Sequence, residues 1–144
     1  MIKNLEIKEK LSLGLKNHKK NNLKAAESLY KEILKINSNH FETNYLLGNL
    51  YLQKSNFTIA KTFFEKALTI NSNHADTHNN LGITLGELGQ TEKAITCFKN
   101  TIKIQPKNIN ALNNLGNEYK NLKKFSEAIN FYKQAIEIQP NNVK

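Results

Sequence analysis

Hydrophobic residues follow a helical spacing through most of the chain, and residues 41–74 show the pattern clearly. Apolar side chains recur there every three or four positions in two groups. The groups are Leu47, Leu50 and Tyr51, then Ala60, Phe63, Phe64, Ala67 and Leu68. Such spacing places the apolar side chains on one face of an amphipathic helix. The pattern therefore predicts two helices, separated by a turn near Ser55 and Asn56.

The same pattern recurs at a constant interval. Leu-Gly pairs place their glycines 34 residues apart, at Gly14, Gly48, Gly82 and Gly116. Alanines keep this step, and an aromatic residue follows each: Ala26 and Tyr30, Ala60 and Phe64, Ala94 and Phe98, Ala128 and Tyr132. A helical glycine costs about 1 kcal/mol against alanine, so its repetition indicates close helix packing. A fixed period of this kind predicts stacked helix pairs.

Alignment of the glycines divides the chain into four repeats without insertions, 7–40, 41–74, 75–108 and 109–142. An isoleucine column is predicted to close the second helix of each repeat: Ile36, Ile70, Ile104 and Ile138. The polar segments 37–39 and 71–73, and Pro106 and Pro140, then stop the helices. Short polar side chains compete for backbone hydrogen bonds, and proline removes a donor.

The motif resembles the tetratricopeptide repeat, with its Leu-Gly pair, following aromatic residue (Tyr51, Tyr119), alanine–aromatic pair and closing proline. The signature tryptophan is absent, and two repeats lack the proline. The resemblance covers nearly the whole chain. It implies an all-α, right-handed α-solenoid of four helix-turn-helix repeats, forming a single domain over residues 1–144.

The formal net charge of +9 raises the question of nucleic-acid binding. Every basic residue is lysine, whereas nucleic-acid surfaces favour the planar fork of arginine. Nucleic acid is therefore an unlikely partner on this interpretation. The lysines are enriched in residues 1–40, where Lys8, Lys16, Lys19, Lys20 and Lys24 form a basic end. An RNA-binding array that uses this end is the least favoured of three function hypotheses.

The sequence predicts no membrane span and no signal peptide. A lone cysteine, Cys97, fits a reducing compartment, so we expect a cytoplasmic protein. The last helix carries an apolar face with Ala135, Ile136 and Ile138, and the solvating helix typical of the family does not follow. We therefore expect the chain to be the N-terminal part of a longer protein. The alternative is self-association through this uncapped C-terminal repeat.

No catalytic, metal or cofactor site is predicted. His74 and His78 lie one helical turn apart, but His74 belongs to an inter-repeat column with His40, Asn108 and Asn142, which we interpret as turn surface. Cys97 occupies an apolar column and is expected to be a small buried side chain. Gly86 and Gly89, which flank the turn of the third repeat, are interpreted as sources of flexibility. We predict a protein without enzymatic activity of its own.

The resemblance implies that the first helix of each repeat lines a concave groove. The candidate groove residues are Tyr45, Asn49, Asn79, Asn80, Asn113, Asn114 and Asn117. An asparagine side chain offers both a donor and an acceptor, so it can bond both groups of a peptide unit. A row of asparagines would hold an extended peptide with little sequence preference, and Tyr45 would serve as an apolar anchor.

Two comparisons within the family refine this expectation. Asn80 and Asn114 match the asparagine ladder of the O-GlcNAc transferase superhelix, but Ser12 and Leu46 interrupt it. Chaperone-binding members hold a C-terminal carboxylate with cationic side chains. Here the corresponding positions carry Tyr45, Asn110 and Asn114 instead. Without cations the charge-assisted contact is lost, so tight binding of chaperone tails is not expected.

The first function hypothesis is a protein-interaction scaffold that binds an extended peptide or protein partner in this groove. The alternative, which belongs to another class, is the N-terminal substrate-recognition arm of a larger enzyme, such as a protein glycosyltransferase or sulfotransferase. The sequence that follows Lys144 would separate the two hypotheses.

Overall fold

A computed structural model describes residues 1–140 and shows them folded into helices without a strand. The helices are α1 (Ile2–Lys19), α2 (Leu23–Ile36), α3 (Phe41–Gln53), α4 (Phe57–Ile70), α5 (Ala75–Glu87), α6 (Thr91–Ile104), α7 (Ile109–Asn121) and α8 (Phe125–Ile138). Each repeat thus holds one helix pair, and each second helix ends at the predicted isoleucine. Residues 141–142 of the fourth repeat and Lys144 lie outside the described residues.

The turn within each repeat uses a left-handed backbone conformation. Its φ angles are 60° at Asn21, 56° at Ser55, 72° at Gly89 and 59° at Lys123, and these positions are 34 residues apart. Gly89, which we interpreted as a source of flexibility, has a conformational role in this turn. Its conformation is the one shared by all four turns, and glycine adopts it without the strain of a Cβ atom.

The first helices of the later repeats are capped by side chains. The Nδ1 atom of His40 accepts a hydrogen bond from the Thr43 amide at 3.3 Å, and that of His74 accepts one from Thr77 at 3.2 Å. Asn108 caps α7 in the same way. The column that we interpreted as turn surface therefore satisfies the free amides of helix starts. Asn142, the fourth member, lies outside the described residues.

The glycine column is explained by the aromatic side chains that cover it. A Cβ atom at Gly14 would stand 2.6 Å from Cε1 of Tyr30, and one at Gly82 would stand 2.6 Å from Cε1 of Phe98. The aromatic rings are buried, with Tyr30 0% and Phe98 1% exposed. The predicted close approach of paired helices is thus confirmed, and it fills the interior of each repeat.

The helices form two compact units, of which unit 1 is Met1–Ser72 and unit 2 begins at Asn73. In unit 1, α1 packs on α2, α2 on α3 and α3 on α4. In unit 2, α5 packs on α6, α6 on α7 and α7 on α8, and α5 also reaches α7. The single domain over residues 1–144 remains a prediction.

A polar network joins the two repeats of unit 1. Glu27 in α2 accepts hydrogen bonds from Lys31 at 2.6 Å, from the Tyr51 hydroxyl in α3 at 2.5 Å and from Lys54 at 3.0 Å. These donors, Lys31 first, lower the pKa of Glu27 from 4.5 to about 2 against the opposing effect of burial. The charged carboxylate is therefore the form that fits the folded unit.

The last helix has the apolar exposure that the sequence predicts, although not at every predicted position. Ile136 is 54% exposed, and Phe125 and Ile129 on the same helix are 58% and 52% exposed. Ala135, by contrast, is only 4% exposed, because it faces the interior of its repeat. Self-association through this helix remains a prediction.

Candidate functional site

The candidate site lies on α5 and α7, the first helices of the two repeats in unit 2. The two helices contact each other, and one asparagine of each helix meets its counterpart across this contact. The amide nitrogen Nδ2 of Asn114 donates a hydrogen bond to Oδ1 of Asn79 at 3.2 Å. This bond leaves the Asn79 amide nitrogen and the Asn114 amide oxygen as further donor and acceptor groups.

A cleft of about 290 Å³ lies beside this bond. Its walls combine amide, carboxylate and apolar groups: Ile83, Gly86, Glu87, Phe98, Asn114, Asn117, Glu118 and Asn121. The predicted residues Asn114 and Asn117 therefore share one cavity. The Tyr132 hydroxyl donates to Oδ1 of Asn117 at 2.6 Å, which orients this amide so that its nitrogen is the part offered to a ligand.

Glu118 is the residue of this cleft that the sequence analysis missed. It is half-buried, and burial is the main cause that raises its pKa above 4.5. The charge of Glu87 raises the pKa further, whereas hydrogen bonds from the side chains of Thr91 and Asn121 oppose the shift. The cleft thus contains a carboxylate whose charge is poorly compensated.

Gly86 provides the space that Glu118 occupies. A Cβ atom at residue 86 would stand 2.8 Å from Oε1 of Glu118. Gly86 is the second-to-last residue of α5, and its interpretation as a source of flexibility remains a prediction. Its absent side chain lets the carboxylate of the next repeat lie against the helix backbone.

The remaining candidates of unit 2 lie elsewhere on the same helices. Asn113 is exposed and lines a second, larger cleft of about 930 Å³ beside the turn between α6 and α7, together with Asn110 and Gln139. Asn80 is half-buried, and its main-chain oxygen accepts a hydrogen bond from Thr84 at 2.7 Å. Of the predicted asparagines of unit 2, Asn114 and Asn117 therefore line one cleft and Asn113 lines the other.

The candidates of unit 1 have more hydrophobic surroundings. Tyr45 stacks on Phe41 with the ring planes 2° apart and the centroids 6.3 Å apart, and it also contacts the tilted ring of Phe64. Asn49 lies one turn further along α3 and is half-buried. Tyr45 is therefore held by other rings and presents only part of its surface.

The described residues also bear on the predictions about a metal site, the cysteine and a membrane span. Residues 1–140 contain no group of three or more histidine, cysteine, aspartate or glutamate side chains that could hold a metal ion. Cys97 is buried at 8% exposure, as predicted. No helix among these residues is long and apolar enough to cross a membrane.

Family models described as tetratricopeptide repeats match residues 39–107 and 109–142. These segments cover the second, third and fourth helix pairs found above. The chain belongs to the tetratricopeptide repeat family. Its fold is accordingly an all-α solenoid of tetratricopeptide repeats, as the resemblance implied. No curated protein matches the chain.

Solved tetratricopeptide structures are similar over nearly the whole chain. A crystal structure of MamA is 25% identical with a TM-score of 0.90, and the match covers 93% of this chain and 78% of that one. MamA from Desulfovibrio magneticus RS-1 is 18% identical with a TM-score of 0.89, over 96% and 78% of the two chains. PilF of Pseudomonas aeruginosa is 20% identical with a TM-score of 0.84, over 99% and 65%.

These likenesses establish the fold. Together with the family matches they support a scaffold for protein–protein interaction, because tetratricopeptide proteins are generally scaffolds without enzymatic activity.

Proposed function

We propose that this protein is a non-enzymatic scaffold that binds an extended segment of a protein partner along the first helices of its repeats. The observation that carries the proposal is the cleft between α5 and α7, where Asn79, Asn114 and Asn117 present amides from two rigid helices. An extended peptide has unpaired backbone donors and acceptors, and primary amides can bond both. The proposed ligand is therefore a peptide backbone, without need of one particular sequence.

The helical support makes this arrangement suitable for binding. Each asparagine lies on a regular helix, so its backbone is fixed before a ligand arrives. Hydrogen bonds from Tyr132 to Asn117 and from Asn114 to Asn79 further restrict the amides. A preorganised site loses less conformational entropy when it binds, and more of the interaction energy then contributes to affinity.

The other candidate residues extend the same proposal. Tyr45 and Asn113 occupy one repeat column with Asn79, and Asn49 occupies one column with Asn117. Asn80 shares a column with Asn114. By their equivalent positions in the repeat, the residues of each unit would contact a bound segment in similar ways. Tyr45, supported by Phe41, would contribute apolar contact area.

The experiment is a selection of random twelve-residue peptides displayed on phage, followed by fluorescence anisotropy with the enriched peptides. The groove variant is Asn114→Ala with Asn117→Ala, and the matched control is Asn130→Ala on the exposed surface of α8. We expect the groove variant to bind about thirtyfold more weakly, since each of the two lost hydrogen bonds contributes on the order of 1 kcal/mol. The control variant should bind like the wild type.

Two results would contradict the proposal. Failure to enrich any peptide would show that the clefts do not bind extended chains. Equal affinity of the groove variant and the wild type would show that peptides bind elsewhere on the surface.

A further inference from the structure

The α5–α7 cleft carries negative charge in a protein that is otherwise strongly basic. The chain has 21 lysines against 12 acidic residues, yet Glu87 and Glu118 are the charged side chains that line this cleft. Within the described residues 1–140, neither of these carboxylates forms an ion pair with a lysine. The cleft is therefore a local anionic site on a cationic protein.

The two carboxylates lie in surroundings that suit a long cationic side chain. Ile83, which is half-buried, provides an apolar surface against which the methylene groups of lysine or arginine can pack. The amide oxygens of Asn114 and Asn121 are additional acceptors for the charged head. The Asn117 amide nitrogen, by contrast, is a donor and would face the peptide backbone, because its oxygen is already bonded to Tyr132.

We propose that Glu118, together with Glu87, makes this cleft selective for a partner segment that carries a lysine or arginine side chain. This inference rests on the proposed peptide-binding function, and it adds the chemistry by which one partner is preferred to another. The cationic head would lie between the two carboxylates, and the backbone of the segment would contact the asparagines.

Electrostatics favour a basic rather than an acidic segment at this position. The two carboxylates repel each other, which is one cause of the raised pKa of Glu118, and burial reduces the solvation of its charge. A bound cation would relieve both effects, because a charge-assisted hydrogen bond is stronger where water is partly excluded. An acidic side chain would add a third negative charge in the same small volume.

Gly86 supports the same assignment. Because residue 86 has no Cβ atom, the Glu118 carboxylate can lie against α5 and face the cleft. The position of Glu118 is held by Leu50 in the second repeat and by Thr84 in the third, both 0% exposed, and by the exposed Lys16 in the first. An acidic residue thus occurs at this position only in the fourth repeat. The glycine that it lies against occurs at its own position only in the third repeat.

The test uses nuclear magnetic resonance of the ¹⁵N-labelled protein with two small probes. The cationic probe is Nα-acetyl-arginine N-methylamide, and the neutral probe is its citrulline isostere. We expect the arginine probe to shift the side-chain amide signals of Asn114, Asn117 and Asn121 with millimolar affinity. The citrulline probe should bind about fivefold more weakly than the arginine probe, as expected for the loss of a charge-assisted contact.

Two variants locate the effect. Glu118→Gln should abolish the preference for arginine, whereas Glu127→Gln, an equal change of net charge at an exposed site on α8, should retain it. Circular dichroism confirms that both variants are folded. Equal binding of the two probes, persistence of the preference in Glu118→Gln, or shifts confined to other surfaces would overturn the inference.

The peptide selection described above separates this inference from the proposed function. Peptides that bind through the asparagines but show no enrichment of lysine or arginine would refute the inference and leave the scaffold function intact. Arginine binding that depends on Glu118, in the absence of any selected peptide, would support the cation-binding cleft and refute the capture of extended chains.

Discussion

Gly82 in α5 lies directly against the ring of Phe98 in α6, so that a Cβ atom at residue 82 would stand 2.6 Å from the ring carbon Cε1. Phe98 is 1% exposed, so its ring has little room to move. The glycine is therefore required by packing. Gly14 and Tyr30 show the same relation in the first repeat.

The first prediction concerns the substitution Gly82→Ala. Helix propensity alone would stabilise the protein by about 1 kcal/mol, because alanine is the better helix former. We expect the opposite sign, a destabilisation of about 1–3 kcal/mol, because the new methyl group overpacks the interior. Urea denaturation measures the difference. In a Phe98→Leu background the same substitution should cost less, and an equal cost in both backgrounds would argue against the steric explanation.

The second prediction concerns the left-handed turn at Lys123. Replacement of Lys123 by glycine should stabilise the protein by about 0.5–1 kcal/mol, because the strain of the Cβ atom exceeds the entropy cost of glycine. The matched control is Lys120→Gly in the exposed last turn of α7, which should destabilise by about 1 kcal/mol. Thermal unfolding distinguishes the two. Destabilisation by both substitutions would show that the turn is not strained.

The third prediction concerns the network of Glu27 in unit 1. Glu27→Gln should destabilise the protein on the order of 1 kcal/mol at pH 7, because it removes the charge that Lys31, Tyr51 and Lys54 stabilise. The folded-state pKa of about 2 lies below the ordinary value of 4.5. The contribution is therefore present above pH 4.5 and is lost as the pH falls toward 2.

The control for this network is Glu65→Gln. Glu65 lies 3.9 Å from Lys61 in an exposed pair on α4, and such pairs contribute little. Denaturation curves from pH 7 to pH 3 should show a shrinking difference between the wild type and Glu27→Gln. A pH-independent difference would indicate that the substitution acts through packing and not through the loss of charge.

The fourth prediction concerns the stability of Glu118→Gln. Because the folded-state pKa of Glu118 is raised, its stabilising contribution is fully present below the unfolded value of 4.5 and is lost as the pH rises through the folded pKa. At pH 7 the amide variant should therefore be more stable than the wild type. The gain should disappear below pH 4.5, where both side chains are neutral. Glu127→Gln, at an exposed position, should show no such pH dependence.

The sequence was sufficient to predict the helices because each repeat is specified by local pattern. The glycine column, the aromatic column and the isoleucine ends all depend on spacing within 34 residues, and the structure confirms each. The turns were interpreted less well. All four repeats have a positive φ angle at this position, but only the third repeat has a glycine there, Gly89. The residue types at this position therefore do not reveal the shared conformation.

The candidate site was predicted only in part, because its contacts run diagonally between repeats. Asn79 and Asn114 belong to different columns of the repeat, and column-by-column comparison gave no reason to pair them. Glu118 was missed because its column contains the buried Leu50 and Thr84, which indicate interior packing. The signal that could have revealed it is the coincidence of a glycine at residue 86 with an acidic residue one repeat after Thr84.

The order of helix packing has a consequence for how the protein folds. Within each unit the helices pack mainly on their neighbours along the chain, so few contacts require distant segments to meet. Chains with such low contact order lose little entropy before their first favourable contacts form, and they fold rapidly. A helix pair in either unit can thus serve as a nucleus for folding.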